Sequence, residues 1–515
     1  MRKQSLFQGA FVLTAAALIT KILGFATTII QSRILGAEGI GLQMMVTPFI
    51  GLLMTVTTLG LPVAISKAVA EAETENNKTK IKRILLISLT VTCSISLILT
   101  FTLIYFGRAF ALRFLADQRA YYSLMALTPV IPILAVSGVL RGYFQGRQNM
   151  NPLAISQVIE QIVRIISLYV LVQLLLERGV EYAAAGGIAA SVLGELAYLL
   201  YLGFTFKFST DYHIPTPKIT EHLTRGKIHL IELLRTGLPQ TGNQFFRSLL
   251  RVIQPIVITQ SLLKTGLDSP TIATQYGMLT GYVYPLLFFP GFINYSLAVA
   301  LVPAVSEASS RKKMGLVHQR ISQAVKVSLL IGVPSSIILF VFANQLLTIV
   351  YRAPEAANLL KLTAPFYLLQ YFHSPMQSSL IGLGYATTSM INNIIPRCIS
   401  LALIYPLVVY FDLGIAGVAI ASSIAVVLET VMHYLALLKL IGPCFRLSDI
   451  VKIAGIGGFT ALFTIFTFNT LLQYRINEKL TVIISAIICL FIYFSFILLT
   501  KTVRWTSITT NLRRK

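Results

Sequence analysis

The chain is short of charge. Only 12% of its 515 residues are Asp, Glu, Lys or Arg, about half the roughly 25% of an ordinary soluble domain. That shortage excludes a water-soluble fold. Acidic residues are scarcest, at 19 against 42 Lys and Arg, so a centre built on clustered carboxylates has little to draw on. Cysteine is rare too. Cys93, Cys398, Cys444 and Cys489 are scattered without a C-x-x-C pair, which excludes a disulfide framework or a cysteine metal centre. The six histidines do not cluster along the chain. His373 and His433 fall in apolar segments and read singly, as packing or hydrogen-bonding residues.

Apolar sequence fills the space that charge leaves. Hydrophobic residues make up 55% of the chain, and runs long enough to cross a bilayer recur along its whole length. The expected class is an all-α polytopic membrane protein. The first run follows Arg2 and Lys3 as a secretory signal would. It is too long, however, and no small-x-small site follows it, so it reads as a membrane helix. Fourteen segments are expected, at 5–31, 40–66, 84–107, 121–143, 153–176, 182–206, 233–262, 272–304, 322–349, 357–383, 390–411, 413–438, 453–473 and 480–500. With both termini placed in the cytoplasm, most of the Lys and Arg fall in cytoplasmic loops, for example Lys78, Lys80, Lys82 and Arg83, or Arg311, Lys312 and Lys313. This is the positive-inside pattern. The net charge of +23 therefore faces lipid headgroups, and nucleic acid is not an expected partner.

The chain repeats itself. LTPVIPILAVSGVLRGYFQG (127–146) parallels LTAPFYLLQYFHSPMQSSLIGLG (362–384), and KAVAEA (67–72) parallels PAVSEA (303–308), at an offset of about 236 residues. AGGIAAS (185–191) and AGVAIAS (416–422) match at 231. The repeat unit is thus six helices, and an even number of crossings gives both copies one orientation. Parallel repeats are a transporter architecture with the site between the halves. The expected organisation is an N-lobe over 1–206, a cytoplasmic linker over 207–232 containing IPTPK (214–218), a C-lobe over 233–440, and a C-terminal pair with a basic tail over 441–515. Paired prolines at 48 and 62, 129 and 132, 239 and 255, 285 and 290, 365 and 375, and 396 and 406 favour helices that bend.

Nine ionisable residues lie away from segment ends: Lys21, Glu160, Arg164, Glu195, Arg247, Arg251, Lys326, Arg397 and Glu429. Each costs about 2.5–3.5 kcal/mol at a lipid-facing helix centre, so most must face water or one another. Gln240, Asn243, Gln244, Arg247 and Arg251 fall on one helical face. Gln157, Glu160, Gln161 and Arg164 do the same, and Glu160 and Arg164 form an i,i+4 pair. Thr14, Lys21 and Thr28 recur every seven residues. Lys21 lies roughly 15 Å from the nearer segment end, beyond the reach of its side chain. Arg141 sits at a segment end and is counted with its loop. Glu195 and Glu429 occupy near-equivalent places and read as interhelical clamps or proton-titrating groups, a choice that spacing leaves open. Lys21, Arg247 and Arg251 have no obvious local partner. The expectation is a hydrated cationic cavity between the lobes. Such a cavity attracts anions, arginine suits phosphate, and Asn243, Gln244 and Gln157 suit sugars.

TKILGFATTIIQSRILGAEGIG, LGLPVAISKAVAEAE and VPAVSEASSRKK resemble the first, second and eighth helices of the multidrug/oligosaccharidyl-lipid/polysaccharide exporter superfamily. The resemblance covers the whole chain. It is nearest to a sporulation branch that is similar to the lipid II flippases. It implies fourteen helices, two lobes, alternating access, and outward flipping of an undecaprenyl-diphosphate-linked peptidoglycan precursor for the spore cortex. It also implies contact with peptidoglycan-synthesis proteins, a cell-membrane location, and a groove for the polyprenyl tail between the last two helices. Lys21 stands at the basic position before LGF in those flippases. They follow it with Arg-Asp, where this chain has Thr27 and Thr28. No cofactor is expected; a coupling ion, H⁺ or Na⁺, is left open. The alternatives are a cation-coupled multidrug exporter, which needs acidic residues in its cavity, and a flippase for a teichoic or exopolysaccharide lipid intermediate. A membrane enzyme would need carboxylates or histidine in a sizeable outer loop, and the outer loops are short.

Overall fold

The computed structural model describes residues 6–209, 219–443, 447–474 and 477–500. The expected linker motif at 214–218 and the basic tail at 501–515 lie outside the described residues. Within them the chain is helical and contains no strand. It divides into two compact units, Met1–Gly277 and Met278–Lys515.

Unit 1 holds α1 (Leu6–Thr58), α2 (Leu61–Thr74), α3 (Lys78–Phe114), α4 (Ala120–Leu127), α5 (Val130–Gly146), α6 (Asn151–Leu176), α7 (Val180–Ser209), α8 (Ile219–Lys264) and α9 (Ser269–Gly277). Unit 2 holds α10 (Tyr284–Phe288), α11 (Phe292–Ser310), α12 (Met314–Val341), α13 (Ala343–Tyr351), α14 (Ala357–Tyr367), α15 (Gln370–Gly382), α16 (Ala386–Tyr405), α17 (Gly414–Ile441), α18 (Leu447–Gln473) and α19 (Glu478–Leu499). Ten helices among the described residues are long and apolar enough to cross a membrane. The protein is a multi-pass membrane protein.

Several expected segments are interrupted, and the first two run together in α1, which counts as one long helix. The segment 40–66 breaks at Leu59 and Gly60, both at positive φ. The segment 121–143 divides between α4 and α5, and 357–383 between α14 and α15. The segment 272–304 runs through a π-helical turn at 278–283 and a 3₁₀ turn at 289–291. Pro62, Pro129, Pro285, Pro290 and Pro406 stand where one helical element gives way to the next, whereas Pro48, Pro365, Pro375 and Pro396 run inside helices.

The 53-residue α1 is two helices joined at Gly36, whose φ of 67° and ψ of −179° suit glycine alone. Gln31 and Gln43 hydrogen-bond to each other. In a straight helix twelve residues span about 18 Å, so this bond requires the chain to reverse at Gly36. Arg119 closes the turn, with ion pairs of 2.7 Å to Glu38 and to Asp117. The hydrogen bonds that Arg119 donates to Asp117, joined by the Glu38 carboxylate, raise its already high pKa.

Lipid gives helices no hydrophobic reason to associate, so close packing must hold them. The repeat shows how this is done. A Cβ on Gly146 of α5 would lie 2.6 Å from the Ser66 carbonyl and 2.8 Å from Val69 Cβ; one on Gly382 of α15 would lie 2.8 Å from the Val302 carbonyl and 3.0 Å from Val305 Cβ. All three positions are shifted by the same 236 residues. Each unit thus crosses two equivalent helices at an equivalent glycine.

The packing boundary at Gly277 does not coincide with the expected linker at 207–232. The reason is α9, which crosses α1 backbone to backbone. A Cβ on Gly41 would lie 1.8 Å from the Ala273 carbonyl, and one on Gly277 would lie 1.9 Å from the Ala37 carbonyl. Gly41→Ala or Gly277→Ala should therefore destabilise by about 1–3 kcal/mol or more. Thermal melts in detergent check this: both should melt well below the parent, while Gly315→Ala, where the added methyl meets open space, should not.

Candidate functional site

The sequence-predicted polar residues of unit 1 gather along α1, α6, α7 and α8. Lys21 is exposed on the first half of α1. It carries no hydrogen bond or ion pair among the described residues. Thr27 and Thr28 both turn back on their own helix, donating to Leu23 O (2.8 Å) and Gly24 O (3.1 Å). Thr27 also accepts from Gln161 Nε2 of α6 at 2.8 Å. Gln161 Oε1 in turn takes a 3.4 Å contact from Arg164, and Arg164 pairs with Glu160 one turn back. Gly194 of α7 lets that helix press onto the Glu160 carbonyl, at 2.9 Å from an added Cβ. The chain Thr27–Gln161–Arg164–Glu160 thus ties α1 to α6 with balanced charge.

Glu195 belongs to a second balanced group. Its Oε1 accepts from Ser137 of α5 at 3.0 Å. Arg141 donates to the Tyr198 hydroxyl at 3.2 Å, lies over its ring at 5.3 Å, and is within electrostatic range of Glu195 and Glu160. Arg141 is therefore an interior residue, not a loop cation as its place at a segment end had suggested. Glu195 reads as an interhelical clamp in unit 1.

The α8 residues meet the second half of α1. Ser248 lies 3.2 Å from Thr55, and its hydroxyl is 4.0 Å from where a Cβ on Gly51 would sit. Arg247 stands next to Ser248 on α8. Arg247 is half-buried, and Arg251 and Gln244 are exposed. Arg247 and Arg251 both engage neighbouring groups, so the expectation that they lack partners is corrected. Gln157 is half-buried. The side chain of Asn243 lies outside the described residues.

In unit 2, Glu429 is held by His373 at 3.1 Å. His373 and His433 do not stand singly, as the sequence had suggested. Their rings lie 4.8 Å apart. Their convergence was invisible because sixty residues and an intervening helix separate them in sequence. The one available signal was the repeat, which aligns His373 with Ser137.

Unit 2 also encloses an apolar cavity of about 600 Å³, lined by residues of α12, α14, α15, α17 and α18, including Leu329, Val333, Phe372, Val431 and Ile453. Tyr493 of α19 donates to Leu329 O at 3.2 Å. This cavity is not the expected groove between the last two helices: α18 forms one wall, and no residue of α19 lines it.

Comparison with known proteins gives a consistent result. A family model described as polysaccharide biosynthesis protein matches residues 6–309, and one described as MatE matches 280–406. Stage V sporulation protein B of Bacillus subtilis (strain 168) is 44% identical over 453 residues, 87% of this chain and 86% of that protein. Lipid II flippase MurJ of the same strain is 23% identical over 461 residues, 86% of this chain and 84% of that protein. Among solved structures, an inward closed conformation of the lipid II flippase MurJ aligns with a TM-score of 0.71 at 16% identity, covering 97% of this chain and 100% of that one. An inward-facing multidrug resistance MATE family transporter aligns with a TM-score of 0.64 at 18% identity, covering 82% and 94%. At such identities the structures speak for the fold alone.

Two structural roles are testable here. Arg164→Ala leaves Glu160 without its ion-pair partner and should cost about 3 kcal/mol. The double variant Glu160→Ala/Arg164→Ala should recover much of that loss in a double-mutant cycle of melting temperatures.

Proposed function

The chain belongs to the polysaccharide biosynthesis protein family of the multidrug/oligosaccharidyl-lipid/polysaccharide exporter superfamily, and on that premise we propose that it is an alternating-access flippase for an undecaprenyl-diphosphate-linked saccharide. The substrate in this reading is a lipid II-type peptidoglycan precursor for the spore cortex. It moves from the inner to the outer leaflet of the cytoplasmic membrane, with both termini of the protein in the cytoplasm.

The observation that carries the reading is Lys21. An exposed lysine near the middle of a membrane helix, with no bonded partner, is expensive unless water or an anion reaches it. Arg247 on α8, beside the Ser248–Thr55 contact with α1, adds a second positive group, and Arg251 a third one turn on. Arginine forks suit the diphosphate; Gln157, Gln244 and Asn243 suit the sugar. Glu160, Glu195 and Arg164 take the structural role, since their charges are already matched. Thr27 and Thr28 replace a charged pair of the lipid II flippases, and both hydroxyls are spent on local bonds. The saccharide end of the substrate is therefore read by different groups here. The apolar cavity of unit 2 suits an isoprenoid chain. Peptidoglycan-synthesis proteins are the partners that would use the product.

The match to the MatE model raises the multidrug exporter as a second reading. A cationic drug needs an acidic cavity, whereas Lys21, which has no bonded partner among the described residues, is basic.

Lys21→Ala and Arg247→Ala should each lower flipping of lipid II in proteoliposomes by about tenfold or more, with normal membrane insertion; tenfold corresponds to about 1.4 kcal/mol. A teichoic-type lipid intermediate in the same assay distinguishes the saccharides. Full activity in both variants would remove the cationic site. Outward movement of a diphosphate across an inside-negative membrane gains about 2.3 kcal/mol per charge per 100 mV. Collapsing the potential should therefore slow flipping, and an unchanged rate would show that the potential is not used.

A further inference from the structure

The repeat picks out a titratable site in unit 2. In unit 1, Ser137 of α5 donates to Glu195 of α7 at 3.0 Å. The residue 236 positions on from Ser137 is His373 of α15. It meets the glutamate of the matching helix, with Nε2 3.1 Å from Glu429 Oε1 of α17. Glu429 lies about one turn from the place equivalent to Glu195, so both units join these two helices through a glutamate, at neighbouring turns. In unit 2 an imidazole, which can take up a proton, stands in the place of that hydroxyl.

The surroundings fix where protons sit. His373 Nε2 also lies 3.0 Å from Asn393 Oδ1 of α16. Two acceptors on one ring nitrogen require that nitrogen to carry hydrogen. The other ring nitrogen, Nδ1, lies 3.4 Å from Gln370 Nε2 and accepts from it. His433 places Nδ1 2.8 Å from the Glu429 carbonyl, so Nδ1 donates. Its Nε2 is then a lone pair, buried and without a partner. Glu429, His373 and His433 are 5%, 8% and 0% exposed. Arg397 of α16 and Tyr367 of α14 are the other ionisable groups in electrostatic range of Glu429. Arg397 is exposed and makes no direct ion pair with Glu429 among the described residues. From α12, Val325 and Leu329 face this region across the cavity. The 406–410 turn meets α17 at Gly417, more than three turns away.

With both imidazoles neutral, the Glu429–His373 pair bears one negative charge in a dry interior. A proton from water added to His373 Nδ1 makes the pair an ion pair of zero net charge, and Gln370 then turns its amide oxygen toward the new N–H. A second proton on His433 would set two cations 4.8 Å apart, so the site holds one. It also lies at the α14–α15 break, where the helix tightens into i→i+3 bonds at Leu368 and Leu369 while keeping helical dihedrals. Gln370 and His373 form the first turn of α15, and the hydroxyl of Thr430, next to Glu429, lies 2.9 Å from Val426 O and 3.2 Å from Leu369 O.

We propose that Glu429 and His373 form a proton-binding site that takes up and releases one proton per transport cycle and couples a pH gradient to movement at the α14–α15 break. The coupling rests on the flippase reading; the proton binding does not.

The first test needs no substrate. The full chain carrying ¹⁵N-labelled histidine, in lipid nanodiscs, is followed by NMR as pH falls from about 8 to about 5. One buried imidazole should gain a proton, and its signal should be absent from His373→Gln, which keeps an N–H donor for Glu429. It should shift in Glu429→Gln. A wild-type protein without a titrating buried imidazole, or an unchanged signal in His373→Gln, overturns the site. The second test uses a fluorescent undecaprenyl-diphosphate disaccharide in proteoliposomes, with the potential clamped at zero and a pH gradient of one unit. The wild-type rate should change by up to about tenfold, the driving force of one coupled proton. Glu429→Gln and His373→Gln should lose that dependence. Flipping that ignores the gradient in wild type overturns the coupling. If wild type flips nothing, the flippase reading fails, and the titration still decides the proton site.

Discussion

A charge placed in hydrocarbon must find a partner or water, and this requirement organises the interior of the protein. The chain carries few acids, and three of those inside the membrane are matched across or along helices. Glu160 meets Arg164, Glu195 meets Ser137 within range of Arg141, and Glu429 meets His373. Each match joins chain segments that lipid would otherwise leave indifferent to one another. Lys21 is the site cation to which no such match is given, and its exposure on α1 separates a group available to a ligand from groups already used in holding the fold.

Much of this was legible in the sequence. The low charge and the recurring apolar runs gave the class. The 236-residue offset gave the repeat, and the glycines at 146 and 382 obey it to the residue because only glycine fits where two backbones meet. The i,i+4 spacing gave the Glu160–Arg164 pair. What escaped was long-range. Whether Arg141 faces headgroups or Tyr198 depends on how far α5 extends and how it rotates against α7, which periodicity does not fix. Thr27 and Thr28 are adjacent and alike, yet only Thr27 faces Gln161. His373 and His433 look isolated in sequence because helices in a bundle are brought together by packing, not by chain proximity.

The broken helices have a common logic. Backbone groups freed at a break need partners when water is absent. Between α14 and α15 the Leu369 carbonyl accepts from the Phe372 N–H at 3.1 Å, and the Thr430 hydroxyl lies 3.2 Å from the same oxygen. Placing a hydroxyl and an ionisable cluster on the same two turns makes that break both tolerable and sensitive to charge. The corresponding place in unit 1 has serine in the histidine's position, and the glutamate it meets stands about one turn away from the place of Glu429, so the two units tie the same pair of helices by different chemistry.

The docking of α9 against α1 has a consequence for how this chain can be taken apart. The repeats, read as sequence, suggest two interchangeable modules that might be expressed alone or recombined. The interlocked backbones at Gly41 with Ala273 and at Gly277 with Ala37 deny that. Severed at the repeat junction, the first module would lose the helix its glycines are shaped to receive. The duplication survives as a pattern in the sequence but no longer as a seam along which the protein divides.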